Sequence, residues 1–188
     1  EPEVPQYDFT PIDRPYAVGG GRYGTSVAIV SDVTGDNRGD VMVTSPYTAE
    51  TEARSGHLWL YRSQEDGTVD PTGESISGFL GHTYYDLIWD IRPVGDFDND
   101  GHPDFAVLLR SDDRPTDAVF AGDQYEPSAE DCGQRTWDSG AVFVFRGLPG
   151  GGYDTEPAFA YWPPRGGLSP EALAGGGDIN GDGFDDIV

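Results

Sequence analysis

The chain has 188 residues, a formal net charge of -23, 27 glycines and 15 prolines. This length allows one domain with a sizeable core, and the charge argues against nucleic acid or an anionic membrane surface as a partner. The many turn residues, together with the absence of long segments with a 3.6-residue apolar period, predict an all-β fold. No apolar run approaches the roughly 20 residues that span a membrane, so membrane insertion is not expected.

The first part of the chain is predicted to be a lead-in followed by strands. Residues 1–21 carry four prolines and end in three glycines, which is typical of an extended connection rather than a regular element. Residues 23–30 and residues 41–43 are short apolar segments that predict two strands. Residues 55–61 are aromatic and alternate in character, as a strand with one buried face should be.

Between the first two of these strands lies an acidic nine-residue segment that occurs three times in the chain. Aspartate stands at positions one, five and nine of each copy, and an oxygen-bearing side chain stands at position three. Calcium is a hard cation that takes six to eight oxygen ligands, so a short loop that binds it must turn sharply and direct alternate side chains inward. The spacing therefore predicts three calcium sites, one per repeat, with side-chain ligands at positions one, three, five and nine and a backbone carbonyl at position seven. The predicted ligands are Asp32, Thr34, Asp36, Arg38 and Asp40; Asp96, Asp98, Asp100, His102 and Asp104; and Asp178, Asn180, Asp182, Phe184 and Asp186.

Position six of each loop is the point at which the chain must turn. Gly101 and Gly183 occupy it in the second and third copies, and Asn37 occupies it in the first. Asn is the residue that best replaces Gly in a left-handed backbone conformation, so we expect Asn37 to turn the chain as glycine does. An EF-hand is excluded, because it requires a bidentate Glu at position twelve, where the first two copies have Val43 and Val107.

A second unit repeats the order of elements in the first. Residues 90–96 align with residues 26–32 at a shift of 64 positions, and residues 139–145 align with residues 55–61. The interval between the loop and this last strand is longer by about twenty residues in the second unit, which indicates an inserted surface loop within residues 111–138.

A third unit contains the last acidic loop and reaches Val188 within the strand expected after it. That strand would be a free edge without its hairpin partner, an arrangement that favours aggregation, so we expect the sequence to be part of a longer repeat protein. The predicted organisation is a lead-in over 1–21, a first repeat over 22–81, a second repeat over 82–152 that contains the insertion, and a third repeat over 153–188.

The order of these elements resembles the FG-GAP repeat of integrin α-subunit β-propellers and their bacterial relatives. In the first unit Tyr23-Gly24 stands in the place of the FG pair, and Thr44-Ser45-Pro46 stands in the place of GAP. The second unit has Leu108-Leu109-Arg110 at the GAP position and no clear FG. The calcium loops are therefore the specific part of the resemblance, which covers roughly residues 22–188.

This resemblance implies that each unit is approximately one four-stranded blade of a β-propeller, with its calcium loop between two of the strands. Blades pack on their neighbours around a channel in sets of four to eight, so two units and a partial third would form part of a ring. The remaining blades would come from further sequence of the chain or from other copies. Weak calcium loops are useful where calcium is abundant, which predicts a secreted protein that is extracellular or at the cell surface.

Two functions remain open at this point. One is a calcium-stabilised module for adhesion or ligand recognition, because a rigid scaffold with variable loops suits the binding of a protein or glycan, and the 111–138 insertion would be its first candidate surface. The alternative is a propeller segment of a secreted carbohydrate-active enzyme such as a polysaccharide lyase, since resembling folds host such enzymes. His82 would be its candidate base, because His57 falls in a strand pattern and His102 in a loop. No nucleophile, zinc or phosphate-binding motif accompanies it, so no catalytic residue is assigned.

Two further features of the sequence have simple explanations. Arg38-Gly39-Asp40 is a tripeptide that integrins bind, but Asp40 is predicted to face calcium and Arg38 to provide a carbonyl ligand. The tripeptide therefore follows from the loop pattern, and integrin recognition is not favoured. The only cysteine, Cys132, cannot form a disulfide within the chain.

Overall fold

The computed structural model describes residue 12 and residues 21–47, 56–76, 87–110, 140–162 and 170–188. In this part of the chain every regular element is a β-strand, and no helix is long and apolar enough to cross a membrane. The all-β prediction is confirmed. The strands are β1 (Val27–Val30), β2 (Asp40–Ser45), β3 (His57–Tyr61), β4 (Glu74–Ser75), β5 (Ile88–Gly95), β6 (Asp104–Leu109), β7 (Ala141–Phe145), β8 (Phe159–Tyr161), β9 (Gly175–Gly177) and β10 (Asp186–Ile187).

The strands form antiparallel sheets in which each strand pairs with the next one along the chain. β1 to β4 make one four-stranded sheet, β5 to β8 make a second, and β9 pairs with β10. We call the two four-stranded sheets the first and second blades, and the β9–β10 pair the third sheet. Four-stranded meanders of this kind are the blades of β-propellers.

Equivalent residues occupy equivalent places in the two blades, as the shift of 64 positions predicts. Residues that pair across neighbouring antiparallel strands point to the same face of a sheet. The equivalent cross-strand triplets are Val27–Val43–Trp59 and Ile91–Val107–Phe143. The sequence alignment of the two units is thus confirmed by strand register.

The main core lies between the two blades. One face of the first blade contributes Ala28, Met42 and Leu60, and the facing side of the second contributes Ile91 and Phe105. All five side chains are buried. Because a fully buried large apolar side chain stabilises by roughly 1.5–3 kcal/mol, this interface is a major source of the stability of the pair.

A second core joins the second blade to the third sheet. Val94, Leu108 and Val144 on the other face of the second blade pack with Leu173, and Ile187 of β10 lies against them. The first strands of the three sheets also lie side by side, since β5 contacts both β1 and β9. The three units therefore stack face to face in chain order.

The outer face of the first blade is covered in part by its own lead-in. Val43, Trp59 and Tyr61 are buried there, with Ile12 and Tyr23 packed against them. The lead-in beyond Ile12 and Gly21, the 111–138 insertion, His82 with its neighbours and Cys132 lie outside the described residues.

The second blade extends beyond the boundary predicted at residue 152. Its outer strand β8 pairs with β7, so Phe159 and Tyr161 belong to the second unit rather than the third. The outer strands β4 and β8 have two and three residues. Strands this short show no alternating pattern, which is why the sequence did not predict them.

β1 begins at Val27 rather than at residue 23, because the chain turns before the strand. Arg22 and Gly24 have positive φ angles of 51° and 82°, which an extended strand does not contain. The turn places the Tyr23 hydroxyl 2.5 Å from the hydroxyl of Tyr61, to which it donates a hydrogen bond. The predicted strand residues 23–26 therefore form a corner at the edge of the first blade.

Candidate metal centres

Each acidic loop joins the first two strands of its sheet. Positions four and six of every loop have positive φ angles, so the chain reverses through two left-handed residues. The predicted left-handed geometry of Asn37 is confirmed. The need for a left-handed residue at position four was not predicted, although the Gly, Asn and Gly found there in the three loops indicate it. The residues and angles are Gly35 (83°) and Asn37 (64°), Asn99 (58°) and Gly101 (91°), and Gly181 (80°) and Gly183 (95°).

The aspartate at position one caps the turn of its own loop. The Asp32 carboxylate accepts hydrogen bonds from the backbone N–H groups of Thr34, Gly35, Asp36 and Asn37 at 2.6–3.2 Å. Burial raises the pKa of Asp32, but these four N–H groups outweigh it and the pKa lies below its ordinary value. The corresponding bonds in the other loops join Asp96 to the N–H groups of Asp100 and Gly101 (both 2.9 Å) and Asp178 to those of Asp182 (3.1 Å) and Gly183 (2.9 Å).

The aspartate at position nine is buried and begins the second strand of its sheet. Asp104 is 2% exposed, and its two carboxylate oxygens accept the N–H groups of Phe97 at 2.9 Å and Gly147 at 2.8 Å. Asp40 is 0% exposed and is held in the same way by Val33 and by Ser63. The loop and the region after the third strand are thus connected through one carboxylate.

The burial of Asp40 also bears on the Arg38-Gly39-Asp40 tripeptide. A fully buried carboxylate is not presented to a receptor, and the Arg38 guanidinium is 2.8 Å from Asp36 within the same loop. The structure agrees with the loop-based explanation of the tripeptide.

Position three carries an unusual buried oxygen in two of the loops. Asp98 Oδ1 and Thr34 Oγ1 are buried and have no hydrogen-bond partner among the residues that the structure describes. The other Asp98 oxygen, Oδ2, is 2.5 Å from Nε of Arg146, which comes from the end of β7. A buried polar atom without a partner costs roughly 1–3 kcal/mol, and these two oxygens are available to accept a cation or a hydrogen bond.

Three carboxylates of the second loop converge on one point. Single oxygens of Asp96, Asp98 and Asp104 all lie within 4.8 Å of one another. The fourth predicted carboxylate, Asp100, is not in this group and accepts a hydrogen bond from the N–H of His102 at 2.8 Å. The aspartates at position five of the other loops do the same, with Asp36 accepting the N–H of Arg38 (2.9 Å) and Asp182 that of Phe184 (3.0 Å).

Electrostatics within this cluster favour a cation. Burial raises the pKa of the Asp104 carboxyl above its ordinary value, while the N–H groups of Gly147 and Phe97 act in the opposite direction. The neighbouring charges of Asp98 and Asp100 add to the rise. A positive ion between these groups would offset the cost of burying the Asp104 charge and, to a smaller extent, its repulsion by Asp98 and Asp100.

The donor set fits calcium. Two oxygens bound to one calcium ion at 2.3–2.6 Å lie at most about 5 Å apart, and Asp96, Asp98 and Asp104 already meet that condition. The first and third loops have Thr34 and Asn180 at position three, so each has one carboxylate fewer than the second loop. The carbonyl ligands predicted at position seven and the side chains predicted at position five stay predictions.

The described part of the chain gives no evidence for a catalytic histidine. His57 lies in β3, where its ring stacks on Trp59 at a centroid distance of 5.5 Å and its Nδ1 is 2.9 Å from the hydroxyl of Ser75. This agrees with its expected place in a strand. The carbohydrate-active alternative depended on His82, which lies outside the described residues, and stays a prediction.

Two packed four-stranded meanders, followed by a third sheet and each carrying an acidic loop between its first two strands, define a repeat protein of the β-propeller class. Residues 32–107 match the family model described as an FG-GAP-like repeat. The matched segment runs from the first acidic loop through the second and into β6, so it contains the residues that carry the structural repeat. This segment of the chain carries an FG-GAP-like repeat, and the resemblance identified in the sequence is confirmed over these residues.

Proposed function

We propose that this protein is an extracellular calcium-binding repeat module in which calcium stabilises the blades and the blade loops recognise a protein or glycan. The observation that carries the proposal is the convergence of Asp96, Asp98 and Asp104, with the unpartnered Asp98 Oδ1 buried beside them. FG-GAP repeats are typical of extracellular proteins, where calcium is abundant enough to fill sites of modest affinity.

Calcium suits this site better than softer or smaller cations. All the candidate ligands are oxygens, which excludes a preference for zinc or copper. Magnesium requires nearly ideal octahedral geometry and keeps several waters, whereas calcium accepts the irregular arrangement that a loop of backbone-capped carboxylates provides. The 32–40 and 178–186 loops have left-handed residues at the same two positions and the same cap at position one, so we include them as the second and third sites.

A structural role for the ion follows from what each carboxylate already holds. Asp104 connects the loop to Gly147 after β7, and Asp98 is held by Arg146 from the same region. An ion bound by both would tie β5, β6 and the end of β7 together. Calcium would therefore act on the stability of the whole blade and not on the loop alone.

Calorimetric titration with calcium tests the proposal. Asp98→Asn keeps the shape of the side chain but removes a charge from the cluster, and we expect it to weaken or abolish one binding event. Glu65→Gln is the matched control, since it removes one charge from an exposed turn of the first blade outside the loops. Equal titrations for both variants, or no calcium binding by the unmodified chain, would contradict the proposal.

We also propose that a further blade packs beside β1, supplied by more of the same chain or by another copy. Val27 and Ile29 of β1 are 53% and 74% exposed, whereas Ile91, the equivalent of Val27 in the second blade, is buried against the first blade. In each described junction the first strand of one sheet lies against the first strand of the next, and among the described residues no strand occupies this side of β1.

Burial of β1 can be measured with a fluorophore at Ile29→Cys in a Cys132→Ser background. A blue shift is expected when unlabelled chain is added, or when the label is placed in a longer form of the protein. A label that stays solvent-exposed in both experiments would contradict the proposed neighbour.

A further inference from the structure

A residue of the third loop holds the first ligand of the second loop. Asp185 Oδ2 accepts the backbone N–H of Asp96 at 2.9 Å, and the Asp185 N–H donates to the Asp96 carbonyl at 3.1 Å. Both main-chain polar groups of one predicted ligand are thus bonded to a single residue of the next repeat. Asp185 stands at position eight of its loop, which the ligand pattern does not use.

This contact depends on glycine at position 95. Gly95 precedes Asp96 with a φ of 72°, and a Cβ on Gly95 would overlap the Asp185 carboxylate. Gly175 of β9 is similarly close to Val94, where an added Cβ would lie 2.9 Å from a Val94 methyl carbon. Only glycine at position 95 allows the carboxylate to reach the N–H of Asp96.

The equivalent junction between the first two repeats uses weaker, uncharged contacts. Ser31 stands in the place of Gly95, and Pro103 stands in the place of Asp185. The Ser31 hydroxyl donates to the Pro103 carbonyl at 3.1 Å. The Asp32 carbonyl accepts a hydrogen bond from Gly152, a residue of the turn before β8 and not of the neighbouring loop. A carboxylate link from loop to loop is therefore specific to the second junction.

We infer that Asp185 is a positioning residue that couples calcium binding at the 96–104 and 178–186 sites, an inference that rests on the proposed function. Asp185 is adjacent in sequence to Asp186, the last predicted ligand of the third loop, whose carboxylate accepts the Ile179 N–H at 2.7 Å. An ion that orders the third loop also orders Asp185 and so fixes the backbone of Asp96. Such coupling is reciprocal, so an ion at the second site favours binding at the third by the same factor.

Two glycine amides report the sites separately. The Gly101 N–H donates to Asp96 Oδ2 and the Gly183 N–H donates to Asp178 Oδ2, each at 2.9 Å. Calcium bound to either carboxylate changes the environment of its own amide, so nitrogen–proton correlation spectra recorded along a calcium titration give one midpoint per site. The probe is calcium itself, and the full chain is used.

Asp185→Ala is expected to raise the calcium midpoint of Gly101 by about fivefold or more, the lower end of the usual range of coupling between sites. Asp185→Asn keeps an oxygen that can accept the Asp96 N–H, so most of the affinity should return. Glu156→Ala, which removes an exposed acidic residue elsewhere on the second blade, should leave the Gly101 midpoint unchanged.

A variant of the third site tests the coupling without changing the contact itself. Asp186→Ala should raise the Gly101 midpoint in the unmodified chain, and should have little further effect once Asp185→Ala is present. A Gly101 midpoint that moves with neither Asp185→Ala nor Asp186→Ala would overturn the coupling while leaving calcium binding intact. A Gly101 amide that does not respond to calcium in the unmodified chain would instead overturn the proposed function, and the coupling with it.

Discussion

The 32–40 and 96–104 loops have the same backbone but different charge. Both turn through two left-handed residues, both cap the turn with the aspartate at position one, and both bury the aspartate at position nine. They differ at position three, where Thr34 is neutral and Asp98 is a carboxylate. The comparison teaches that the turn of the loop does not depend on the charge of the side chain at position three.

An arginine forms an ion pair with an aspartate of each loop, but the two arginines come from different parts of the chain. Arg38 belongs to the first loop and lies 2.8 Å from Asp36 at position five. Arg146 comes from the end of β7 and lies 2.5 Å from Asp98 at position three. Each guanidinium balances one carboxylate, but Arg146 binds a residue of the convergent cluster and leaves Asp98 Oδ1 unpartnered among the described residues.

The largest effect is expected from removing the shared anchor at position nine. Asp104→Ala leaves the buried N–H of Gly147 and the half-buried N–H of Phe97 without an acceptor, at a cost of about 3 kcal/mol for the two. Asp40→Ala should cost a similar amount if the two scaffolds are equivalent. Urea denaturation in the presence of a chelator measures both, and Asp100→Ala serves as the control because its bond is exposed. A loss seen only when calcium is present would show that position nine acts solely as a ligand.

Removal of calcium is the next largest effect. An ion that binds only the folded state at a concentration tenfold above its Kd stabilises by about 1.4 kcal/mol per site. Thermal melts with and without chelator should therefore differ by several degrees. Asp98→Asn should reduce this difference, whereas Glu65→Gln should not. Identical melts would rule out a structural role for the ion.

The side chain at position three is expected to set the order of calcium affinity among the three sites. The 96–104 loop should bind most tightly, the 178–186 loop second and the 32–40 loop least, since affinity follows ligand charge and rigidity. Thr34→Asp adds the missing carboxylate to the first loop and should strengthen its site by about fivefold or more, because opposite charges about 4 Å apart gain ~1 kcal/mol even in water. Anomalous scattering at graded calcium concentrations resolves the occupancies. A 32–40 site that fills first in the unmodified chain would show that backbone geometry outweighs charge.

The smallest effect concerns the turn residue that distinguishes the first loop from the others. Asn37 has a φ of 64° where the other loops have glycine. Asn37→Ala should cost about 1 kcal/mol, because alanine gains nothing from a local side-chain hydrogen bond in the left-handed region, and Asn37→Gly should be within a few tenths of the unmodified chain. Chemical denaturation of both variants tests this. Equal stability of the alanine variant would mean that the loop can turn elsewhere.

The sequence alone determined the features that are local. The spacing of the aspartates, the apolar strands that follow them, the left-handed role of Asn37 and the repeat at a shift of 64 positions depend on residues within a few positions of one another, or on the comparison of two such segments. Hydrogen bonds from position one and the turn geometry operate over five residues or fewer. Such short-range rules can be read from composition and order.

Only the tertiary structure decided which groups meet across the repeat. The N–H of Gly147, the guanidinium of Arg146 and the carboxylate of Asp185 approach the 96–104 loop from more than forty residues away in the chain. The outer strands β4 and β8 form because β3 and β7 offer them hydrogen bonds, not because their own few residues favour a strand. These contacts depend on how blades stack, and stacking is set by the summed burial of both apolar faces, which no single loop or strand encodes.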